Sequence, residues 1–307
     1  MVKFYIVALL TFVDLTQTNC QETSVLDELF LPIARHFQIS IGKVFRDIEP
    51  SNRRLLKRMG KAVPVVSPTK QFHCDIKDYK PRSESIPDSV HKLRPGDIDV
   101  IGAMGDSLTA GTGISATSVP EEVLVSQRGR SWSGGGEKNW RHFLTLPNIL
   151  KEFNPNLIGF ATRSAYSTEW ASQFNVAEPG AISAQMPFMA TELIKRIKTD
   201  PRIDVKNHWK MITLMIGDND FCSEVCLSNS YYKAIQKHKE DLYKVLRYLK
   251  DNLARTIVNV VPPPIANGLW NSIMEPFGHK NPDGTDNASK FHCPSEKHPY
   301  IYTLENS

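Results

Sequence analysis

Beyond Pro95-Gly96 the chain alternates apolar runs with amphipathic helices, and this limits the available folds more than any other feature. Residues 100–104, 211–216 and 256–261 read as strands with apolar residues on both sides, and a further short strand is expected at 157–161. Between them, 182–197 and 231–253 read as helices. The second carries Ile235, Leu242, Val245, Leu246 and Leu249 at helical spacing among many lysines. Strands apolar on both faces and separated by helices predict a parallel sheet covered on both sides, an α/β fold. In such sheets ligands sit beyond the carboxyl ends of the strands.

The first run ends in Gly105-Asp-Ser-Leu-Thr-Ala-Gly111. Ser107 is thereby expected on a sharp strand-to-helix turn, its hydroxyl above the sheet and beside helix-start N–H groups that favour developing negative charge. The central run leads into Gly217-Asp-Asn-Asp-Phe-Cys222, which puts Asn219 on the same edge. In Asn175-Val-Ala-Glu-Pro-Gly180 a glycine stands where extended chain gives way to helix, so its N–H can approach a ligand without an intervening side chain. The N–H groups of Ser107 and Gly180 with the Asn219 carboxamide are expected to make an oxyanion hole. Each piece alone has a plainer reading: a chance quartet, a turn glycine, a helix cap at Asn219-Asp220. Their order and shared strand-end position favour the site.

Bulk properties narrow the partners. The net charge of +4, from 37 basic and 33 acidic residues in 307, gives no reason to invoke nucleic acid. Met-Val-Lys, an apolar stretch over 4–13 and small polar residues to Cys20 read as a secretory signal peptide over 1–20, predicting a secreted or extracellular product. Of five cysteines, Cys74, Cys222, Cys226 and Cys293 then remain, an even number for an oxidising compartment. Three pairings are open, among them Cys222 with Cys226 and Cys74 with Cys293; free buried thiols are the alternative. Asn287-Ala-Ser289 is a glycosylation sequon.

Residues 21–92 read as a helical arm and linker ahead of a domain over 93–307. Leu26, Leu29, Phe30, Ile33, Phe37, Ile41, Val44 and Phe45 mark an amphipathic helix in it. The basic cluster Arg53, Arg54, Lys57, Arg58 and Lys61 is either a solvated helix face, a processing site or a contact for anionic lipid surfaces.

Several strings together resemble the GDSL, or SGNH, hydrolase superfamily and, within it, the phospholipase B group of secreted or membrane-anchored lipases. They include Gly105-Asp-Ser-Leu-Thr-Ala-Gly111, Arg130-Ser-Trp-Ser-Gly-Gly-Gly136, Thr145-Leu-Pro-Asn-Ile-Leu150, Asn175-Val-Ala177 through Gly180, and Gly217-Asp-Asn-Asp-Phe-Cys222. The resemblance implies a three-layer α/β/α, flavodoxin-like sheet and hydrolysis of acyl esters in phospholipids, lysophospholipids and neutral lipids. It implies transient membrane-surface contact and no metal or organic cofactor. Ser107 carries over as nucleophile, with Gly180 and Asn219 as oxyanion donors.

The family closes with an Asp-x-x-His block that supplies the base. Here Val260-Val-Pro-Pro-Pro264 runs directly into Ile265-Ala-Asn-Gly268, so a crossover helix, the last strand and that block are expected to be missing near 264–265. Asp88-Ser-Val-His91 has the spacing but precedes the serine. His142, His208, His238, His279, His292 and His298 lack an aspartate three residues earlier. Three readings follow: a phospholipase B-like lipase weakened in this chain, a lipid- or ester-binding pseudoenzyme, or a carboxylesterase using a histidine from elsewhere.

Overall fold

The computed structural model describes residues 36, 39–44, 64–74, 80–220, 231–262 and 302–303. The junction near 264–265, the signal segment, the sequon, Cys222, Cys226 and Cys293 lie outside them, as do His279, His292 and His298. Cys74 is exposed.

Strand β1 (Ile98–Gly105) is buried along nearly its whole length, as a continuous apolar run between two helical layers should be. It pairs in parallel with β2 (Trp209–Met215), from Ile98 opposite Trp209 to Gly105 opposite Met215. β2 pairs in parallel with β3 (Thr256–Val261). A two-residue strand, β4 (Tyr302–Thr303), runs antiparallel along the outer side of β3 at Val258 and Ile257, so chain from the C-terminal tail covers part of that edge.

Both faces of the sheet are covered by helices. After β1 come the short helices α1 (Ser107–Ala110) and α2 (Val119–Leu124). Helix α3 (Leu146–Phe153) begins at Thr145, whose hydroxyl accepts from the Asn148 N–H at 3.3 Å. Its Leu146 and Leu150 pack with Ile98, Ile101, Leu157 and Trp209 on one face. On the other, α4 (Met186–Thr199) and α5 (Tyr231–Asn252) place Met189, Leu193, Ile197, Val245 and Leu249 against Val100, Met104, Ile212, Leu214 and Val258. The result is the expected three-layer α/β/α arrangement.

Two expected elements differ. Residues 157–161 form no strand: Ile158 bridges β1 at Val100, whereas Ala161 bridges Gly135, and Gly159 between them turns to a φ of 102°. A ladder that changes partner after one residue cannot extend. The free half of β1 is taken instead by 174–178, with Val176 N–H donating to Ala103 O and Glu178 N–H to Gly105 O, each at 2.9 Å. Helix α4 begins at Met186 rather than 182, because 183–185 form a 3-10 turn whose first N–H is spent on Asp220.

The stretch 80–97 has little regular structure but packs beneath the amino ends of the strands. Trp209 Nε1 donates to Pro87 O at 3.0 Å, and Ser83 donates its N–H and its hydroxyl to Asp97, both at 2.8 Å. Of the N-terminal arm, residues 39–44 are helical, with Ile39 buried.

Candidate active site

Three strand-end loops meet at the carboxyl edge of the sheet. Gly105 closes β1 at a φ of 153°; a side chain there would run into the carbonyl of Met215 and the hydroxyl of Thr109, so the turn requires glycine. Asp106 caps the next turn, its carboxylate accepting from the Leu108 N–H at 2.9 Å. Ser107 is the first residue of α1 and is half-buried. Among the described residues its hydroxyl has no hydrogen-bond partner.

α1 is a single turn, ended by Gly111 in the left-handed conformation. Residues 111–113 then pair with 125–127, Gln127 N–H donating to Gly111 O at 2.9 Å. The expected helix start therefore supplies local N–H groups at Ser107 but little macrodipole, which needs several aligned turns.

The opposing end of α1 is tied down by residues that sequence reasoning did not single out. Thr109 O accepts from Ser131 Oγ at 2.6 Å and from Asn175 Nδ2 at 2.9 Å. Asn175 in turn accepts from the fully buried Arg128, whose Nη1 lies 3.1 Å from its side-chain oxygen and 3.2 Å from its carbonyl. Ser131 and Asn175 belong to strings that carry the family resemblance, whereas nothing in the sequence marked Arg128.

Gly180 follows the 174–178 segment that lies along β1. Its φ is 78°, and a Cβ there would meet nothing within 4 Å. It is a glycine for backbone reasons, and the space before it is open. Asn219 stands in the helical turn 218–220 that follows β2, and its Nδ2 donates to Ala181 O at 2.8 Å. The pairing of Gly105 with Met215, the bond from Glu178 to Gly105 and the bond from Asn219 to Ala181 thus bring the loops of Ser107, Gly180 and Asn219 to one edge.

That edge is acidic. Burial, reinforced by the charge on Asp218, pushes the Asp106 carboxyl up to about 6. Asp218 is raised as well, by burial and then by Asp220. Burial also works to raise Asp220, but hydrogen bonds from His238 and Ser183 outweigh it and hold the carboxyl below its ordinary range. One oxygen each of Asp106 and Asp218 is buried without a partner among the described residues. The described His, Cys, Asp and Glu side chains form no group able to hold a metal ion.

The histidines divide clearly. Asp88 and His91 lie in the segment that follows Pro87, whose carbonyl meets Trp209 at the amino end of β2, and Asp88 is lowered by its bond to Lys92. His208 also precedes β2. His142 meets Asn139 at 2.9 Å. His238, on α5, faces Asp220 with Nδ1 at 3.3 Å. That pair was invisible to a search for Asp-x-x-His, because its members come from different elements.

An open hollow of about 660 Å³, lined by Arg130, Glu137, Arg163 and Trp170 among others, includes none of the three candidate residues. Exposed apolar side chains do gather in the segment that follows Ser107: Leu108, Ile114, Val119 and Val123. No helix among the described residues is long and apolar enough to cross a membrane.

The profile of the family described as GDSL-like lipase/acylhydrolase matches residues 101–297. Human membrane-associated phospholipase B1 is 41% identical over 192 residues, covering 62% of this chain and 13% of the human protein. The rat protein of the same name is 41% identical over 192 residues, covering 61% of this chain and 12% of the relative. The mouse protein is 36% identical over 228 residues, covering 72% of this chain and 15% of the relative. The chain therefore spans less than a sixth of the length of these relatives.

Proposed function

The chain belongs to the GDSL-like lipase/acylhydrolase family, and from that membership we propose that it is a secreted, phospholipase B-like acyl-ester hydrolase with Ser107 as nucleophile. Its substrates are phospholipids, lysophospholipids or related acyl esters. Ser107 Oγ attacks the acyl carbonyl and the carbonyl electron pair moves onto oxygen. The Ser107 and Gly180 N–H groups and the Asn219 carboxamide hold that oxyanion. Collapse expels the alcohol, which carries off the serine proton, and water then releases the acid.

One observation carries the reading: the sheet register and the Asn219–Ala181 bond support a common edge for all three residues. The exposed Leu108, Ile114, Val119 and Val123 fit transient contact with a lipid surface. A competing reading, a chain that binds lipid esters without turning them over, is favoured by the Ser107 hydroxyl having no histidine partner among the described residues.

A fluorophosphonate probe separates the two. Labelling of the wild type at Ser107, abolished in Ser107→Ala with unchanged thermal stability, supports the hydrolase. Absence of labelling in the folded wild type leaves only the binding protein. Where a base is missing, an intact oxyanion hole still retains about 10³–10⁴-fold over water, so slow labelling counts for the hydrolase.

A further inference from the structure

We propose that Asp220, gripped by Ser183 and His238, is a positioning residue that fixes the Gly180 and Asn219 loops against each other, so that His238 acts on the reaction without touching substrate. The inference rests on the roles given to Gly180 and Asn219 above.

Asp220 adjoins Asn219 and is 2% exposed. Both its carboxylate oxygens accept from the Ser183 N–H at 3.0 Å, and Oδ1 also accepts from the Ser183 hydroxyl in a short contact. Ser183 stands three residues beyond Gly180. A second link runs the other way, Asn219 Nδ2 to Ala181 O at 2.8 Å. Each candidate donor is therefore flanked by a bond to the other's loop, and neither loop can shift alone without breaking one.

His238 adds a third anchor. Its Nδ1 meets Asp220 Oδ1 at 3.3 Å from α5, a 22-residue helix packed on α4 through the main core. The grip is thus referred to a helix packed into the main core. Asp106 and Asp218 both act electrostatically against Asp220 or one another at this edge. Joining two loops through a buried carboxylate there is costly, and a neutral side chain would serve a purely structural purpose more cheaply. Hydrogen bonds to an ionised group are shorter and stronger than neutral ones, which is what exact placement of an oxyanion donor demands.

The test uses the full chain and two readouts. Fluorophosphonate labelling of Ser107 is expected to slow about 10–100-fold in His238→Ala, the loss usual when an outer residue that orients a working one is removed. In His238→Asn, whose amide can still donate to Asp220, it is expected to recover most of that loss. In parallel, the Gly180 backbone and Asn219 side-chain amide resonances should move in His238→Ala and return in His238→Asn. The Lys210 amide, at the other end of β2, should stay in place throughout.

Unchanged labelling and unchanged resonances in His238→Ala overturn the proposal. Loss in His238→Asn equal to that in His238→Ala, with both resonances in place, also overturns it by making His238 a proton acceptor. Should wild type fail to label, the nucleophile reading falls, while the resonance shifts still decide the grip. Ser183→Ala, which keeps the Ser183 N–H, gives a milder form of the same shifts if the His238 variants do not fold.

Discussion

The two ends of the central strand handle buried charge in opposite ways. At the amino end Lys210 is fully buried, yet its ammonium donates to three carbonyls: Val205 and His208 at 2.7 Å and Ala254 at 2.8 Å. At the same end Asp97 accepts from Ser83 and from the Arg94 N–H, and Asp99 accepts from Arg82 at 2.7 Å. At the carboxyl end Asp106 and Asp218 each have one buried oxygen without a partner among the described residues, and three carboxylates repel one another. One end is finished as structure. The other is left electrostatically incomplete, and a full set of internal partners would leave nothing to offer a ligand.

Replacing Lys210 should expose the difference most. Lys210→Met strips a donor from three carbonyls in part-buried hydrogen bonds, and an orphaned acceptor closed off from water costs about 1–3 kcal/mol. We expect about 2–3 kcal/mol of lost stability in urea denaturation, with Ser107 labelling of the folded fraction unchanged. Roughly 16 Å of strand separates Lys210 from the serine edge, beyond the range at which such effects couple. A large change in labelling would show that the two ends are not independent.

The two ends also differ in how far they were legible in the sequence. The strand 256–261 and the body of β1 were read correctly because continuous apolar runs between turn residues leave few alternatives. The Ser107 corner was legible because a close-approach glycine and a capping aspartate are both local signals. Lys210 was not, since a lysine beside a tryptophan reads as a strand end at the surface, and only the fold brings three carbonyls to it. The Asp220–His238 pair and the Arg128–Asn175 support were hidden for the same reason. Their members lie 18 and 47 residues apart, and no pattern within a single element joins them. At 157–161 the apolar pattern was real, but it described burial and not a continuous ladder.

The charges at the two ends give opposite pH dependence. Folded Asp106 holds its proton up to about 6 against an ordinary 3.8, so the folded chain binds more protons between those values. Its contribution to stability is full below 3.8 and is lost as pH rises through about 6. Burial lowers Lys210 from 10.5 to about 8, so the unfolded chain binds more protons over that range and stability rises with pH there. Both groups are in their costly charged forms between about 6 and 8. Asp106→Asn keeps the cap to Leu108 and removes one of these costs. It should stabilise the protein by about 1–2 kcal/mol at pH 8 and by almost nothing at pH 4. The rise between 8 and 10.5 should persist. Equal effects at both pH values would mean that Asp106 is not the source of the acid limb.

The smallest expected effect separates two reasons for a glycine within the serine edge itself. At Gly105 an added methyl would strike the Met215 carbonyl, which belongs to a central strand and cannot yield. At Gly180 the same methyl meets nothing within 4 Å, and only the φ of 78° opposes it. Gly180→Ala should therefore cost about 1 kcal/mol, the usual penalty for a left-handed L-residue, measured as a shift in the urea midpoint at constant slope. Its N–H is retained, so Ser107 labelling by a small probe should persist, while a probe with a bulky acyl-like group should slow if the new methyl projects into the space the substrate fills. A cost of several kcal/mol would mean that the space before Gly180 is occupied in the folded chain. It would then be closed to an acyl ester, and the incompleteness of this end would be a matter of packing rather than of readiness for a ligand.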